Sequence, residues 1–323
     1  MRRFKNILFV CDEQSAYEQA LDRVCWLAKA NDARVTLVDT IDSGGASDLS
    51  KLYTMIPGLG SDEIGNTVIS VHRSKLETRA DDLRSKGVKV TTSVLIGTPF
   101  IEIIRQVLRH KHDLVIKGAH RAAGRPFFPG ADMHLLRKCP CPVWVLNSAS
   151  EPRARRIMAA VDPHPSDEAR NRLNHTILEL ATSLARNDGA KLDVVNAWTL
   201  KEEAALRHGL AKIPADDINR LVAQEQKQSE DRLQTLIADF TDADDFMRVL
   251  HIKGIAADVI TEHVAAEGID TIVMGTLART GVAGLFIGNT AETILNNVTC
   301  SVLTVKAHGF VSPIEPGTEE RTN

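Results

Sequence analysis

The chain has 323 residues, about twice the size of an ordinary domain, so its length predicts two cores. Charged residues make up 25% of the sequence and apolar types 43%, which excludes a disordered or fibrous chain. The net charge of -3 is too small to predict binding to nucleic acid or to an anionic membrane surface.

The sequence predicts neither a membrane span nor export. The longest stretch without Asp, Glu, Lys or Arg is 13 residues, at 293–305, whereas a helix needs about 20 apolar residues to cross a bilayer. The apolar run at 7–11 is too short for a signal peptide. The five cysteines are odd in number and include no Cys-x-x-Cys pair, so we expect reduced thiols. We therefore expect a cytoplasmic protein.

Short β-branched runs alternate with helical patterns along the chain, which predicts βαβ units and buried parallel sheets. The predicted strands are, in chain order, 5–11, 34–39, 88–95, 113–117, 143–147, 156–161, 191–197, 247–252, 270–274 and 301–306. Helices are expected between them, beginning after Thr98, running from Gly254 to Gly268, and covering 216–240 and 290–297.

The strands fall into two sets of five because the chain contains an internal duplication. Three pairs of segments align between the halves: 5–12 with 155–162, 113–118 with 270–275, and 141–146 with 300–305. The offset rises from 157 to 159 between the second and third pairs, so the second copy has two extra residues in the intervening loop. We therefore predict an α/β protein of two tandem domains, each with a five-stranded parallel sheet flanked by helices.

The predicted boundaries are a first domain at 1–148, a linker at 149–156, a second domain at 157–307 and a flexible tail at 308–323. Segment 43–66 is rich in Gly and Ser, and it is either a mobile lid or a simple loop. We expect the two copies to form an intramolecular pseudo-dimer through their last strands, because pairing removes two exposed sheet edges. Further homo-oligomerisation is compatible with this arrangement.

A glycine-rich segment, 275–292, follows a predicted strand and leads into a predicted helix. Glycine lets the backbone approach a ligand, and the free N–H groups of a helix start can donate to phosphate oxygens. The alternative is a turn that only solves a steric problem. The sequence has no G-x-x-x-x-G-K-[ST] and no G-x-G-x-x-G after its first strands, so a P-loop NTPase and a dinucleotide oxidoreductase are disfavoured.

Several features together resemble the universal stress protein family in its tandem two-domain form. They are Asp12 and Asp162 at strand ends, the run 272–276 leading to 288–292, and the segment 135–140, Leu-Leu-Arg-Lys-Cys-Pro. The resemblance implies a flavodoxin-like sheet in each domain and a role in survival under stress. It also implies, for some members, ATP binding through the motif G-x2-G-x9-G-[ST].

Carried over residue by residue, Gly275 and Gly288 match the first and last glycines of that motif. Ala278 replaces the middle glycine, and Asn289 replaces the Ser or Thr. Because both departures weaken the match to the ATP motif, we expect the ligand to be either a nucleotide such as ATP or another phosphate-bearing metabolite. The candidate nucleotide-binding residues are Ala160, Asp162, Ala197, Met274, Gly275, Ala278, Arg279, Gly288, Asn289 and Thr290. The resemblance places the first four of these around the base and ribose. For Asp162 the alternative is a cap for a helix that begins near Ser166.

In the first copy, Pro129 stands where Gly288 stands in the second and removes an N–H that a phosphate would need. We therefore expect no ATP binding of the family type there. His120, Arg121 and Arg125 either meet another anion or belong to a solvated loop.

Catalysis has little support, because the sequence lacks a His-Glu-x-x-His pair, a Gly-x-Ser-x-Gly elbow and a P-loop lysine. His110 and His112 are expected at the surface, and Cys139 and Cys141 as buried thiols. We predict a noncatalytic cytosolic stress-response protein whose second domain binds a phosphate-bearing ligand. The alternatives are a scaffold without a nucleotide and a slow ATP hydrolase. The pattern specifies neither a metal nor a protein partner.

Overall fold

A computed structural model describes residues 4–11, 17–42, 61–119, 130–147, 153–209, 213–276 and 287–317. The first half consists of β1 (Asn6–Val10), α1 (Tyr17–Asn31), β2 (Arg34–Ile41), α2 (Ser61–Ser85), β3 (Lys89–Ile96), α3 (Pro99–His110), β4 (Leu114–Gly118), α4 (Gly130–Lys138) and β5 (Val143–Leu146). The second half consists of β6 (Arg156–Val161), α5 (Glu168–Asp188), β7 (Lys191–Trp198), α6 (Glu203–His208), α7 (Ala215–Ile237), β8 (Met247–Lys253), α8 (Ala256–Glu267), β9 (Thr271–Gly275), α9 (Asn289–Asn297) and β10 (Ser301–Val305).

The ten strands form one sheet in the order β3-β2-β1-β4-β5-β10-β9-β6-β7-β8. Neighbouring strands are parallel within each half, as predicted. The halves meet through the antiparallel pair β5 and β10, in which Trp144 lies opposite Leu303. The last strands therefore pair with each other, as the duplication predicted. Each half has the order 3-2-1-4-5, which keeps the parallel sheet of flavodoxin but differs from its 2-1-3-4-5 order.

Two apolar clusters cover the two faces of this sheet. Phe9 belongs to one cluster and its neighbours Leu8 and Val10 to the other, because successive side chains of a strand point to opposite faces. Both clusters cross the junction between the halves. Trp144 and Leu303 lie in the first cluster, and the paired residues Val145 and Val302 lie in the second. The two halves consequently share their core.

A buried ion pair also joins the halves. Arg23 of α1 donates from Nη1 to Asp188 Oδ1 at the end of α5 over 2.7 Å, and the two side chains are 4% and 0% exposed. The Arg23 guanidinium lies 4.6 Å from the ring centre of Trp144. Asp188 Oδ2 accepts the backbone N–H of Ala154 at 3.0 Å. The first half, the second half and Ala154, two residues before β6, thus meet at one buried carboxylate.

The structure corrects three boundaries drawn from the sequence. Helix α2 begins at Ser61, so the end of the predicted lid or loop at 43–66 is helical, while 43–60 lie outside the described residues. Buried Leu76 and Ala80 anchor this helix despite its polar start. Helix α7 ends at Ile237, earlier than predicted, because the chain continues as a 3-10 turn at 238–243 with non-helical φ and ψ at Phe240.

The third correction concerns the predicted flexible tail, whose residues 308–317 have a defined path over the first half. Arg109 of α3 donates from Nε to the carbonyl of Pro316 at 2.7 Å, and Ile314 packs against the second apolar cluster. The segment is poor in apolar groups, but the Arg109 donor of α3 and the packing of Ile314 against the second cluster hold it in place.

Candidate functional site

Three predicted site residues lie together at the carboxyl end of the second half's sheet. Ala160 of β6 pairs with Met274 of β9, and Ala197 lies near the end of the adjacent strand β7. All three pack against the second apolar cluster, so they share one face of the sheet. The connections change direction between β6 and β9, and ligands of open α/β sheets bind at such switch points.

Asp162 follows β6 directly and lies at the rim of this region, with its side chain 56% exposed. Its carboxylate accepts from Arg170 Nη1 at 3.3 Å, and its backbone N–H donates to Asn174 Oδ1 at 3.0 Å. The alternative role as a helix cap is wrong, because Asp167 caps α5 through a 2.9 Å bond from the Arg170 backbone N–H. That backbone bond also lowers the pKa of the Asp167 carboxyl.

Gly275 ends β9, and its missing side chain serves the packing of a helix. A Cβ atom there would lie 2.7 Å from Leu173 Cδ2 and 3.5 Å from Ile177 Cδ1, both on α5. A larger residue would force the Leu173 side chain, or α5 itself, to shift. The steric reason for a glycine at this position is therefore helix packing, whether or not a ligand approaches the backbone.

The glycine-rich loop is described only at its two ends, and predicted residues Ala278 and Arg279 lie outside the described ranges. At the far end Gly288 is the N-cap of α9, with φ −65° and ψ 143°, and no side chain caps this helix. Asn289 and Thr290 follow with exposed side chains. The first N–H groups of a helix have no partner within it, so this start can donate hydrogen bonds to an anion.

A lysine that sequence reasoning missed lies beside the start of the loop. Lys306 follows β10 and donates from Nζ to Thr276 Oγ1 at 2.8 Å and to the carbonyls of Leu136 and Arg137 at 2.6 and 3.0 Å. Burial of the ammonium group lowers the pKa of Lys306 to about 8. The available sequence signal was that this lysine ends the longest uncharged stretch of the chain, 293–305.

The equivalent place in the first half is filled by side chains. Lys117 of β4 occupies the position of Met274, at the 157 offset, and its Nζ lies 2.9 Å from Asp132 Oδ1. Asp132, in the first turn of α4, stands where the second half has Ala291 and is 1% exposed. The first half therefore holds its own carboxylate at this helix start, where negative charge is favoured. His120, Arg121, Arg125 and Pro129 lie outside the described residues.

Cys139, Cys141 and His112 are all buried in the structure. Cys139 and Cys141 are buried, with their sulfur atoms 3.6 Å apart. His112 was expected at the surface, but it is 4% exposed and its Nε2 lies 3.0 Å from Thr36 Oγ1. Its Nδ1 lies 3.2 Å from the carbonyl of Gln106. The ring is buried because it fills the space between α3 and the sheet and finds two polar partners there.

Across the described ranges, no three His, Cys, Asp or Glu side chains are grouped so that they could hold a metal ion. Among the helices in those ranges, none combines the length and the apolar character needed to cross a bilayer.

The chain matches the model of one protein family in both halves. The universal stress protein family model matches residues 3–147 and 153–306. The chain therefore belongs to the universal stress protein family. The two matched ranges correspond to the two halves of the internal duplication, so the family's domain occurs twice in tandem.

Among individual proteins, the chain is similar to universal stress protein E of Photorhabdus laumondii, with 28% identity over 337 residues covering 99% of this chain and 100% of the relative. Universal stress protein E of Escherichia coli K12 is also 28% identical, over 331 residues covering 99% of each chain. Two solved structures share the fold. PA1789 of Pseudomonas aeruginosa PAO1, of unknown function, has a TM-score of 0.71 at 22% identity, covering 95% of this chain and 94% of that chain. A universal stress protein of Archaeoglobus fulgidus has a TM-score of 0.61 at 15% identity, covering 93% and 98%.

Proposed function

We propose that the second half binds a nucleotide or another phosphate-bearing metabolite, and that the protein is a noncatalytic stress-response protein of the cytosol. The observation that carries this proposal is the uncapped start of α9 at Gly288, at the end of a glycine-rich loop that begins at the sheet's switch point. The apolar patch of Ala160, Ala197 and Met274 on the same sheet gives a base or another flat group a surface to contact.

We propose one ligand per chain. In the first half the buried Lys117–Asp132 ion pair occupies the corresponding place, so a phosphate there would have to displace this carboxylate. The second half has apolar Met274 and Ala291 at those positions. The acidic residue in the first turn of α9, Glu292, is paired with Arg137 of the first half. The bound anion would lie at the second half's helix start, and Asp162 at the rim would accept from a ligand hydroxyl or amine.

Two other functions remain alternatives. A scaffold would keep the duplicated fold and its shared core without a nucleotide. A slow ATP hydrolase would add a metal and a water-positioning group to the same site. Both are distinguished from the proposal by what the protein binds and releases.

The proposal is tested by Gly288→Val. The backbone at Gly288 has φ −65°, which valine adopts without strain, so the fold should be retained while the branched side chain obstructs the helix start. Calorimetry with ATP should then show at least about tenfold weaker binding, equal to about 1.4 kcal/mol.

Gly130→Val is the matched control, since Gly130 begins the corresponding helix α4 of the first half and a Cβ there meets nothing within 4 Å. This control should bind ATP as the unmodified protein does. Equal ATP affinity for a folded Gly288→Val variant would reject the site. Release of ADP and phosphate at a rate abolished by Gly288→Val would favour the hydrolase.

A further inference from the structure

The ammonium group of Lys306 is a cation without a carboxylate partner among the described residues. Its three hydrogen bonds go to the carbonyls of Leu136 and Arg137 and to the hydroxyl of Thr276. The two carbonyls end α4 and carry the negative partial charge of a helix C-terminus, which stabilises the lysine in part. The ring of Phe310, whose centre lies 4.9 Å from Nζ, also faces the charge, but none of these described contacts is with an Asp or Glu.

The partner hydroxyl has a hydrogen to donate. Thr276 is 3% exposed and follows β9 directly, where the glycine-rich loop begins. Its Oγ1 accepts from the Lys306 ammonium, so its own hydrogen must point elsewhere. No described residue accepts that hydrogen. A hydroxyl whose lone pair is engaged by an ammonium group is a strengthened donor, and an anionic oxygen is the acceptor that suits it best.

The same contacts bring the first half to both ends of the loop. Lys306 joins Thr276, at the loop's start, to the last turn of α4. Arg137 of that turn donates from Nη2 to Glu292 Oε1 in the first turn of α9, just past the loop's end. Residues 136 and 137 of the first half therefore hold the two ends of the second half's loop relative to each other.

We propose that Lys306 is a positioning residue for an anionic, phosphate-bearing ligand of the second half: it orients the Thr276 hydroxyl as a donor to the ligand and adds positive charge beside the loop. This inference rests on the proposed function and extends it by assigning a role to Thr276, at a variable position of the motif, and to Lys306, outside the motif. It also gives the first half a role, because α4 supplies the carbonyls that fix the lysine.

The test compares ATP and inorganic triphosphate binding by calorimetry in the full chain. Lys306→Met removes the charge and keeps the side-chain length, while Thr276→Val removes the hydroxyl and keeps the shape. Each should weaken binding of both probes by about tenfold. Thr276→Ser retains the hydroxyl and should bind within about twofold of the unmodified protein. Lys191→Met, at an exposed position that begins β7, controls for the loss of one positive charge.

A pH profile separates this role from a purely structural one. As the pH rises from 7 to 9, the Lys306 ammonium loses its proton, because its pKa is lowered to about 8 by burial, so affinity should fall. The other titratable group whose charge acts on Lys306 is Cys139, and it is present in both proteins. Lys306→Met should therefore show a flatter profile than the unmodified protein.

Equal affinities and parallel pH profiles for the unmodified protein and Lys306→Met would overturn the inference and leave the proposed function standing. Failure of the unmodified protein to bind either probe would overturn both. If the variants do not fold, NMR titration of the Lys306 side chain in the unmodified protein decides the matter. A rise in its pKa on addition of ATP supports the inference, and an unchanged pKa in the bound state contradicts it.

Discussion

Breaking the buried ion pair between Arg23 and Asp188 should be strongly destabilising, because it leaves one buried charge without its partner where the two halves meet. Arg23→Met leaves the Asp188 carboxylate, whose side chain is 0% exposed, with the Ala154 N–H as its remaining donor among the described residues. Removing one partner of a buried pair costs about 3–5 kcal/mol. For a chain of this length the entropy of unfolding is about 0.7 kcal/mol/K, so Tm should fall by about 4–7 °C.

Urea unfolding followed by tryptophan fluorescence is the assay, since the Arg23 guanidinium lies 5.1 Å from the ring centre of Trp26 and 4.6 Å from that of Trp144. Emission from these rings reports on the junction itself. The expected result is a lower midpoint and an altered native emission spectrum for Arg23→Met.

Two further variants make this prediction refutable. Arg84→Met removes an ion pair whose partners Glu77 and Asp81 are solvent-exposed, and it should have a much smaller effect. Arg23→Met combined with Asp188→Leu removes both buried charges and should recover most of the lost stability. If Arg23→Met is no more destabilising than Arg84→Met, or the double variant is no more stable than the single one, the cost does not come from an unpaired buried charge at Asp188.

The remaining predictions concern pH and ligand choice. Burial lowers the pKa of His112 from 6.5 to about 4. The contribution of the neutral ring to the free energy of unfolding is therefore complete above pH 6.5, and it falls by about 3 kcal/mol as the pH drops towards 4. The difference in unfolding free energy between the unmodified protein and His112→Gln should therefore shrink over this range, and parallel curves would contradict the assignment. Ala278→Gly with Asn289→Ser restores the family's ATP motif and should lower the ATP dissociation constant about tenfold, measured by calorimetry. If the unmodified protein already binds ATP tightly and the double variant shows no gain in affinity, these two departures do not weaken ATP binding.

Much of the fold follows from the duplication and from strand periodicity. The 157 offset pairs Asp113 with Asp270, and the structure gives them the same role. Asp113 Oδ2 accepts the backbone N–H of Lys5 at 2.6 Å, and Asp270 Oδ2 accepts that of Arg155 at 2.7 Å. Equivalent positions in the two copies thus keep equivalent contacts where those contacts lie within one half.

Part of the candidate site could also be predicted from the sequence, because the carboxyl ends of parallel strands meet at one edge of a sheet. Ala160 and Met274 are neighbours on that principle alone. Contacts between the two halves could not be predicted, because the contacting residues are far apart in the sequence and no repeating pattern relates their positions. Lys306 and its carbonyl partners on α4 are 169 and 170 residues apart. Lys117 did carry a signal, as a charge inside an otherwise apolar strand, but nothing in the sequence identified Asp132 as its partner.

The division of roles between the two halves is tested by counting the phosphate-bearing ligands held by each chain, by native mass spectrometry of the purified protein with ATP added. One ligand per chain is expected, because the second half offers an uncapped helix start and the first half fills the same place with Asp132. Gly288→Val should reduce that number to zero, while Gly130→Val should leave it at one. Two ligands per chain would contradict the division between the halves, and none at saturating ATP would contradict nucleotide binding itself.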